Sequence, residues 1–298
     1  MDEIFSKVGV SIARLESLEK VVRAGSITGV AKGDSNLQTQ LSRQIGELEK
    51  TLGLKLLDRT KKPHSPTEAA RRLADACGRF VREVGEVAVA ARGLQLPITV
   101  GAGEVVIRGF LIPQISSHKK GKKPRPDRWV MRNLQREKIQ EGLAAEWLDF
   151  GIASGLVQNG KVKVANLESY CFKLLLPSGG KPDKSGWRRL TDLPVAMLDG
   201  NAAFRRFVAD RCSEQGVELV IGAQCTSFPQ AVDLAEAAGW AVFVPEYWWK
   251  REKEWAARTQ ELPGLEANRR KLQVGWNSKI AERRPEVMKW VNTLVGKQ

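Results

Sequence analysis

Between Asn36 and Gly46 the chain carries eleven residues without a carboxylate, and the polar ones include Gln38, Thr39, Ser42 and Arg43. An amide, two hydroxyls and a guanidinium on one surface suit an anionic partner, because a carboxylate among them would repel it. The same stretch holds an apolar stripe. Leu37, Leu41, Ile45 and Leu48 recur at helical spacing and must face a core. On a helical wheel Thr39, Ser42, Arg43 and Gly46 fall opposite that stripe, with Gln38 at its edge. Asn36 is placed to cap the helix, since its side-chain oxygen can accept amides of the first turn. Glu47 and Glu49 arrive only after two and a half turns. In isolation such a helix is an ordinary solvated face, so its neighbours decide what it does.

Other chemistries have few residues to work with. His64 and His118 are the only histidines, and both sit in basic, proline-containing segments. A zinc site or a Ser-His-Asp triad would have to use one of them, and neither pattern is present. Cys77, Cys171, Cys212 and Cys225 are scattered without a CxxC pair and read as buried thiols of a reducing compartment. Gly101 and Gly103 follow a strand-like run, but Val106 stands at the third glycine position of a dinucleotide fingerprint. The reading is therefore of a non-enzyme with no catalytic residues, no metal and no cofactor.

At 298 residues, with 42% hydrophobic and 28% charged residues, the chain is long enough for two domains with sizeable cores. Its formal net charge of +14 suggests an anionic partner. That charge is not concentrated where the polar helix lies. Residues 1–95 hold 16 basic and 12 acidic groups, against 32 and 22 in the remainder. A nucleic-acid reading must rest on local placement. No basic leader followed by an apolar run opens the sequence, and no stretch approaches the roughly 20 apolar residues of a membrane span, so a cytoplasmic protein without membrane contact is expected.

The elements around the polar helix follow from local signals. Ser11 opens a helix to about Ala24 whose inner face is Ile12, Leu15, Leu18 and Val22, and Gly25 breaks it. Ser26 opens a second, short helix from Ile27 to Lys32, and Gly33-Asp34 turns the chain into the third. Three short helices with tight turns, the third carrying a polar face, are the pattern of a helix-turn-helix reader. After Leu52-Gly53, LKLL and DRTKKPHSP read as strand, basic turn and return strand, which is a wing.

The run GSITGVAKGDSNLQTQLSRQIGELEKTLGLKLLDRTKKPHSPTEAARRL, residues 25–73, resembles without gaps the winged helix-turn-helix of the LysR-type transcriptional regulators of bacteria. The shared elements are Gly25-Ser26, Leu41-Ser42-Arg43-Gln44-Ile45, Leu48-Glu49, Leu52-Gly53, Leu56-Leu57, Arg59-Thr60 and Thr67-Glu68-Ala69. The chain departs from the family at Asp34, Asn36, Leu37 and Thr39, where leucine, a β-branched residue, serine and proline are usual. The resemblance implies that Gln38, Thr39, Ser42 and Arg43 meet double-stranded DNA in a major groove, where arginine suits guanine and glutamine suits adenine. It implies that Arg59, Lys61 and Lys62 of the wing reach phosphates or the minor groove.

Thr67 caps a long helix, and Glu68 suits its positive start. Ala70, Leu73, Cys77, Phe80, Val84, Val87, Ala91 and Leu94 alternate three- and four-residue steps, a heptad seam. Packing within its own domain competes with pairing against a second copy. The length of the seam favours a partner helix, and the resemblance implies an antiparallel dimer, or a dimer of dimers, on an interrupted palindrome.

From Leu96-Pro97 onward strands alternate with helices. PITVG, RWVMRNL, LDFGIAS, YCFKLLLP, LPVAML, ELVIGAQC and WAVFVP read as strands, with helices near 136–147, 202–215, 228–238 and 284–295. This order predicts an α/β domain with largely parallel sheets. It is similar, more weakly, to the LysR effector domain, a two-lobed α/β fold like the periplasmic solute-binding proteins. The organisation expected is a winged helix-turn-helix over 1–66 and a linker helix over 67–95. An effector domain over 96–298 follows, with lobe I as 96–168 and 270–298 and lobe II as 169–269. Two turns before helix starts would line its cleft, where backbone amides converge: Gly103-Glu104, and Gln224 with Thr226-Ser227. Family members commonly hold a hydroxyl in the first turn, where this chain has Gly103 and Glu104. The carboxylate disfavours a small anionic effector and points to a neutral or donor-bearing molecule. The basic stretch 118–128 reads as a solvated loop. All nine tryptophans lie beyond residue 128 and read mainly as packing residues. Two competing readings are a DNA-binding regulator that senses nothing, and a solute-binding α/β protein whose first helices are structural.

Overall fold

Serine caps set the first two helices. Ser11 Oγ accepts from Arg14 N at the start of α1 (Ile12–Ala24), and Ser26 Oγ accepts from Gly29 N at the start of α2 (Ile27–Ala31). The third helix, α3 (Ser35–Leu52), is capped by Asp34 rather than Asn36: the Asp34 carboxylate accepts from the amides of Asn36 and Leu37 at 2.9 and 3.0 Å. The turn at Gly33 (φ +96°) delivers Asp34 to the cap, where its carboxylate also meets the positive end of the helix. The three helices enclose Leu18, Val21, Leu41, Ile45 and Leu48.

The computed structural model describes residues 10–60, 62–118, 128–199, 202–249 and 252–296. The chain separates into two units, Met1–Leu96 and Pro97–Gln298. In the first, the wing is short. β1 (Leu57–Asp58) pairs antiparallel with β2 (Ser65–Pro66), so Leu54 to Leu56 of the predicted strand lie outside it. Thr67 then does two jobs: its hydroxyl donates to Lys55 O and accepts from Ala70 N, opening α4 (Glu68–Ala91).

The second unit holds two five-stranded sheets. The first sheet has the order β4-β3-β5-β12-β6, from β3 (Ile98–Ala102), β4 (Trp129–Asn133), β5 (Phe150–Ala153), β6 (Val162–Tyr170) and β12 (Arg270–Asn277). The second has the order β11-β7-β10-β8-β9, from β7 (Phe172–Leu175), β8 (Val195–Leu198), β9 (Ile221–Cys225), β10 (Ala241–Pro245) and β11 (Thr259–Gln260). Both sheets are mixed and not largely parallel. β12 runs antiparallel to β5 and β6, and β7 antiparallel to β10 and β11. Three strands, β6, β11 and β12, escaped the sequence reading. β6 is buried only at its two ends and has no apolar run, β12 opens on Arg270-Lys271, and β11 has two residues.

One apolar core, including Val100, Phe150, Leu174, Val195 and Val244, runs through both sheets. After β3 comes a composite helix: α5 (Glu104–Val106), a π-helical turn (Ile107–Leu111) and α6 (Ile112–His118). The remaining helices are α7 (Arg136–Ala144), α8 (Ala202–Glu214), α9 (Phe228–Ala238), α10 (Glu246–Trp249), α11 (Ser278–Arg283) and α12 (Pro285–Val295). A Cβ at Gly109 in the π turn would lie 3.0 Å from Tyr247 and 3.2 Å from the backbone of Trp248, so a larger residue would push this turn and α10 apart by a few tenths of an ångström. A buried ion pair closes the first sheet's end. Arg284 bridges both Asp149 oxygens at 2.8 and 2.9 Å and donates to Pro97 O, while Asp149 accepts from Thr99 N.

Candidate functional site

The polar face of α3 forms as its spacing predicts. Leu41, Ile45 and Leu48 are buried, and Gln38, Thr39, Ser42 and Arg43 are exposed together on the opposite side. Thr39 also donates its hydroxyl to Ser35 O at 2.9 Å, so its methyl and hydroxyl are held in one orientation. The two carboxylates of α3 are tied to cations. Glu47 pairs with Arg14 of α1, and Glu49 pairs with Arg59 at 2.9 Å. Sequence reasoning placed these acids beyond the first two and a half turns without finding their partners, because Arg14 lies 33 residues before Glu47 and no local pattern links the two.

Arg59 follows β1 and keeps 56% of its side chain exposed. Asp58 shapes the turn beyond it, accepting from the Thr60 amide at 3.0 Å and its hydroxyl at 2.5 Å. Lys62 is exposed. Lys61 lies outside the described residues, as do residues 119–127 of the basic stretch 118–128.

The predicted seam along α4 divides in two. Ala70, Ala74 and Cys77 are buried against their own unit, and Leu73 packs on the same core. Cys77 is therefore internal and Leu73 only part-exposed, because α4 lies along α1 over its first turns. From Phe80 onward the apolar face is open. Phe80, Val84 and Val87 are 53%, 52% and 70% exposed, and Ala91 is exposed with them.

In the second unit the two turns expected to line a cleft do come together, because α5 packs against α9. Gly103 caps α5 with open space where a Cβ would stand. Glu104 is matched by Arg108 one turn on, at 3.3 Å. Gln224 accepts from Arg205 of α8, Thr226 donates to Gln230 Oε1 at 2.8 Å, and Ser227 caps α9 by accepting from Gln230 N. Beside them the sequence reading missed an aromatic wall. Phe172, Phe204, Phe228 and Phe243, with Met197 and Leu198, line a narrow cavity, and the Arg270 guanidinium lies 5.3 Å from the Phe172 ring centre. These four rings come from four separate elements, so no spacing in the chain announces them.

Thiol chemistry has no support. All four cysteines are buried, and burial raises each thiol, that of Cys212 to about 11, which keeps it protonated. Among the described residues no cluster of metal-ligating side chains occurs, and no helix is long and apolar enough to cross a membrane.

Comparison with known proteins agrees over both units. Residues 12–71 match the family described as bacterial regulatory helix-turn-helix protein, lysR family, and residues 91–295 match the LysR substrate binding domain. The HTH-type transcriptional regulator YfeR of Shigella flexneri is 26% identical over 242 residues, covering 75% of this chain and 72% of that protein. Among solved structures, CbnR, a LysR family transcriptional regulator, superposes with a TM-score of 0.64 at 18% identity over 97% of this chain and 99% of its own. CbnR complexed with its target DNA gives 0.59 at 19% identity, covering 94% and 99%. A probable transcriptional regulator from Pseudomonas aeruginosa gives 0.55 at 16% identity, covering 96% and 98%. The chain belongs to the LysR family of DNA-binding transcriptional regulators, a winged helix-turn-helix followed by a LysR substrate-binding domain.

Proposed function

We propose that this regulator reads an interrupted palindrome as a dimer or dimer of dimers and answers to a small effector held in its second unit. Helix α3 enters the major groove with Gln38, Thr39, Ser42 and Arg43 facing bases and phosphates, and Arg59, Lys61 and Lys62 reach the backbone beside it. Phe80, Val84, Val87 and Ala91 of α4 pair with the same helix of a second copy, which covers the apolar face left open from Phe80 on. Gly103, Glu104, Gln224, Thr226 and Ser227 border the effector, which is neutral or donor-bearing because Glu104 stands at the site. The observation that carries the reading is the exposed polar face of α3, whose two carboxylates are each paired with an arginine.

Footprinting on the DNA flanking its own gene tests this, with Arg43→Ala and Lys62→Ala alongside. Arg43→Ala should lose about 1–3 kcal/mol on the protected site alone if it reads guanine. Lys62→Ala should weaken binding to all sequences alike, because a phosphate contact carries no sequence information. Equal loss on specific and non-specific DNA for Arg43→Ala would refute base reading by that residue.

A further inference from the structure

Two general effects argue against a carboxylate at Glu49. It lies in the last turn of α3, where an anion opposes the helix dipole, and it belongs to the element proposed to meet phosphates. What it gains there is three donors. One Glu49 oxygen accepts from the amides of Leu56 and Leu57 at 2.8 and 3.1 Å, and the other accepts from Arg59 Nη2 at 2.9 Å. The carboxylate is only 17% exposed, whereas its arginine partner remains 56% exposed. Behind it, Thr67 N donates to Leu56 O at 3.0 Å, so the entry to the wing is fastened on both sides.

A guanidinium is a planar fork of five N–H donors. Fixing one of its nitrogens to a buried-side acceptor sets the direction of the others. We propose that Glu49 is a positioning residue for DNA binding: its carboxylate fastens the wing's entry to the reading helix and holds Arg59 so that the remaining guanidinium nitrogens face a DNA phosphate. Glu49 itself touches no DNA. The proposal rests on the reading of Arg59 as a backbone contact given above.

The test uses the full-length protein and fluorescence anisotropy across a series of salt concentrations. The probes are a duplex that the wild type selects from a random pool, and poly(dI-dC). Arg59→Ala should lower the slope of log K against log salt by about 0.9, the value for one phosphate, with the same fold-loss on both DNAs. Glu49→Gln retains an acceptor for the two amides but turns a donor toward Arg59. It should weaken binding to within about twofold of Arg59→Ala, although it removes a negative charge near a polyanion. The double variant should bind no more weakly than Arg59→Ala alone, since the two residues act through one contact. Arg59→Lys, which keeps the charge but not the fork, should weaken binding with the melting temperature unchanged, and this arm does not depend on Glu49→Gln folding.

Tighter or unchanged binding by Glu49→Gln, with the Arg59→Ala loss intact, overturns the positioning role and leaves the arginine contact standing. Additive losses accompanied by a lower melting temperature reduce Glu49 to a fold clamp and overturn it as well. So does wild-type affinity in Arg59→Lys. An unchanged salt slope in Arg59→Ala instead removes the contact on which the proposal rests.

Discussion

The two units treat their polar side chains in opposite ways. On α3, Gln38, Ser42 and Arg43 stand exposed on a helix whose inner face is locked into a core. In the second unit the polar groups at the junction of α5 and α9 already have partners: Glu104 has Arg108, Gln224 has Arg205, and Thr226 and Ser227 both engage Gln230. A surface of the first kind binds without rearranging. A molecule entering the second must exchange its bonds for existing ones, and an exchange that differs between two arrangements of the lobes is what shifts a conformational equilibrium. Presentation suits a reader, and exchange suits a sensor.

The sharpest way to break this contrast is to damage one unit and ask whether the other notices. Asp149→Ala removes both bonds that Arg284, which is 6% exposed, makes to that carboxylate and leaves it Glu286 at 2.7 Å and Pro97 O, so the loss is expected at about 1–3 kcal/mol. Calorimetry should show the melting of the second unit displaced to lower temperature, with non-specific DNA binding by the first unit retained. Joint collapse of both units would mean that they do not fold independently. A smaller effect on stability, with a large one on assembly, is expected of Phe80→Glu. The charge falls in the open half of the α4 face, where a partner helix would have to desolvate it. Light scattering should find monomers that still bind DNA weakly, and an unchanged oligomer would place the dimer contact elsewhere. Smallest in stability is Thr226→Val, which removes one exposed hydroxyl bond at about 1 kcal/mol or less. DNA affinity should stay within twofold of wild type while effector-induced change in the footprint disappears. A response that survives the substitution removes Thr226 from the site.

How far the sequence could be read depended on the range of the contacts involved. The face of α3 was legible because its core and its polar side are both set by residues within one helix. The caps at Ser11, Ser26 and Thr67 were visible for the same reason, and Asn36 was mistaken for the cap only because Asp34, two residues earlier, is an equally good one. The seam of α4 misled in its first turns, since heptad spacing reports that a face is apolar and not what covers it: Leu73 packs on its own unit and Cys77 is buried, while Phe80 and Val84 stay more than half exposed. The second unit hid more. Phe172 and Phe243, or Asp149 and Arg284, meet across many intervening residues, and no periodicity encodes that distance.

The place of β12 has a consequence for how the chain is made. It lies between β5 and β6 in the first sheet, yet it is synthesised about a hundred residues after β6, once the whole second sheet has been produced. Until then β5 and β6 each keep an unpaired edge, which is a template for wrong pairing with another chain. The first unit, whose core is built from residues between Val10 and Leu73, has no such wait. During translation the reader is finished early and the sensor stays open to the end. A chain cut just before Arg270 is accordingly expected to yield an intact winged helix joined to an aggregating remnant, and not a regulator lacking a lobe.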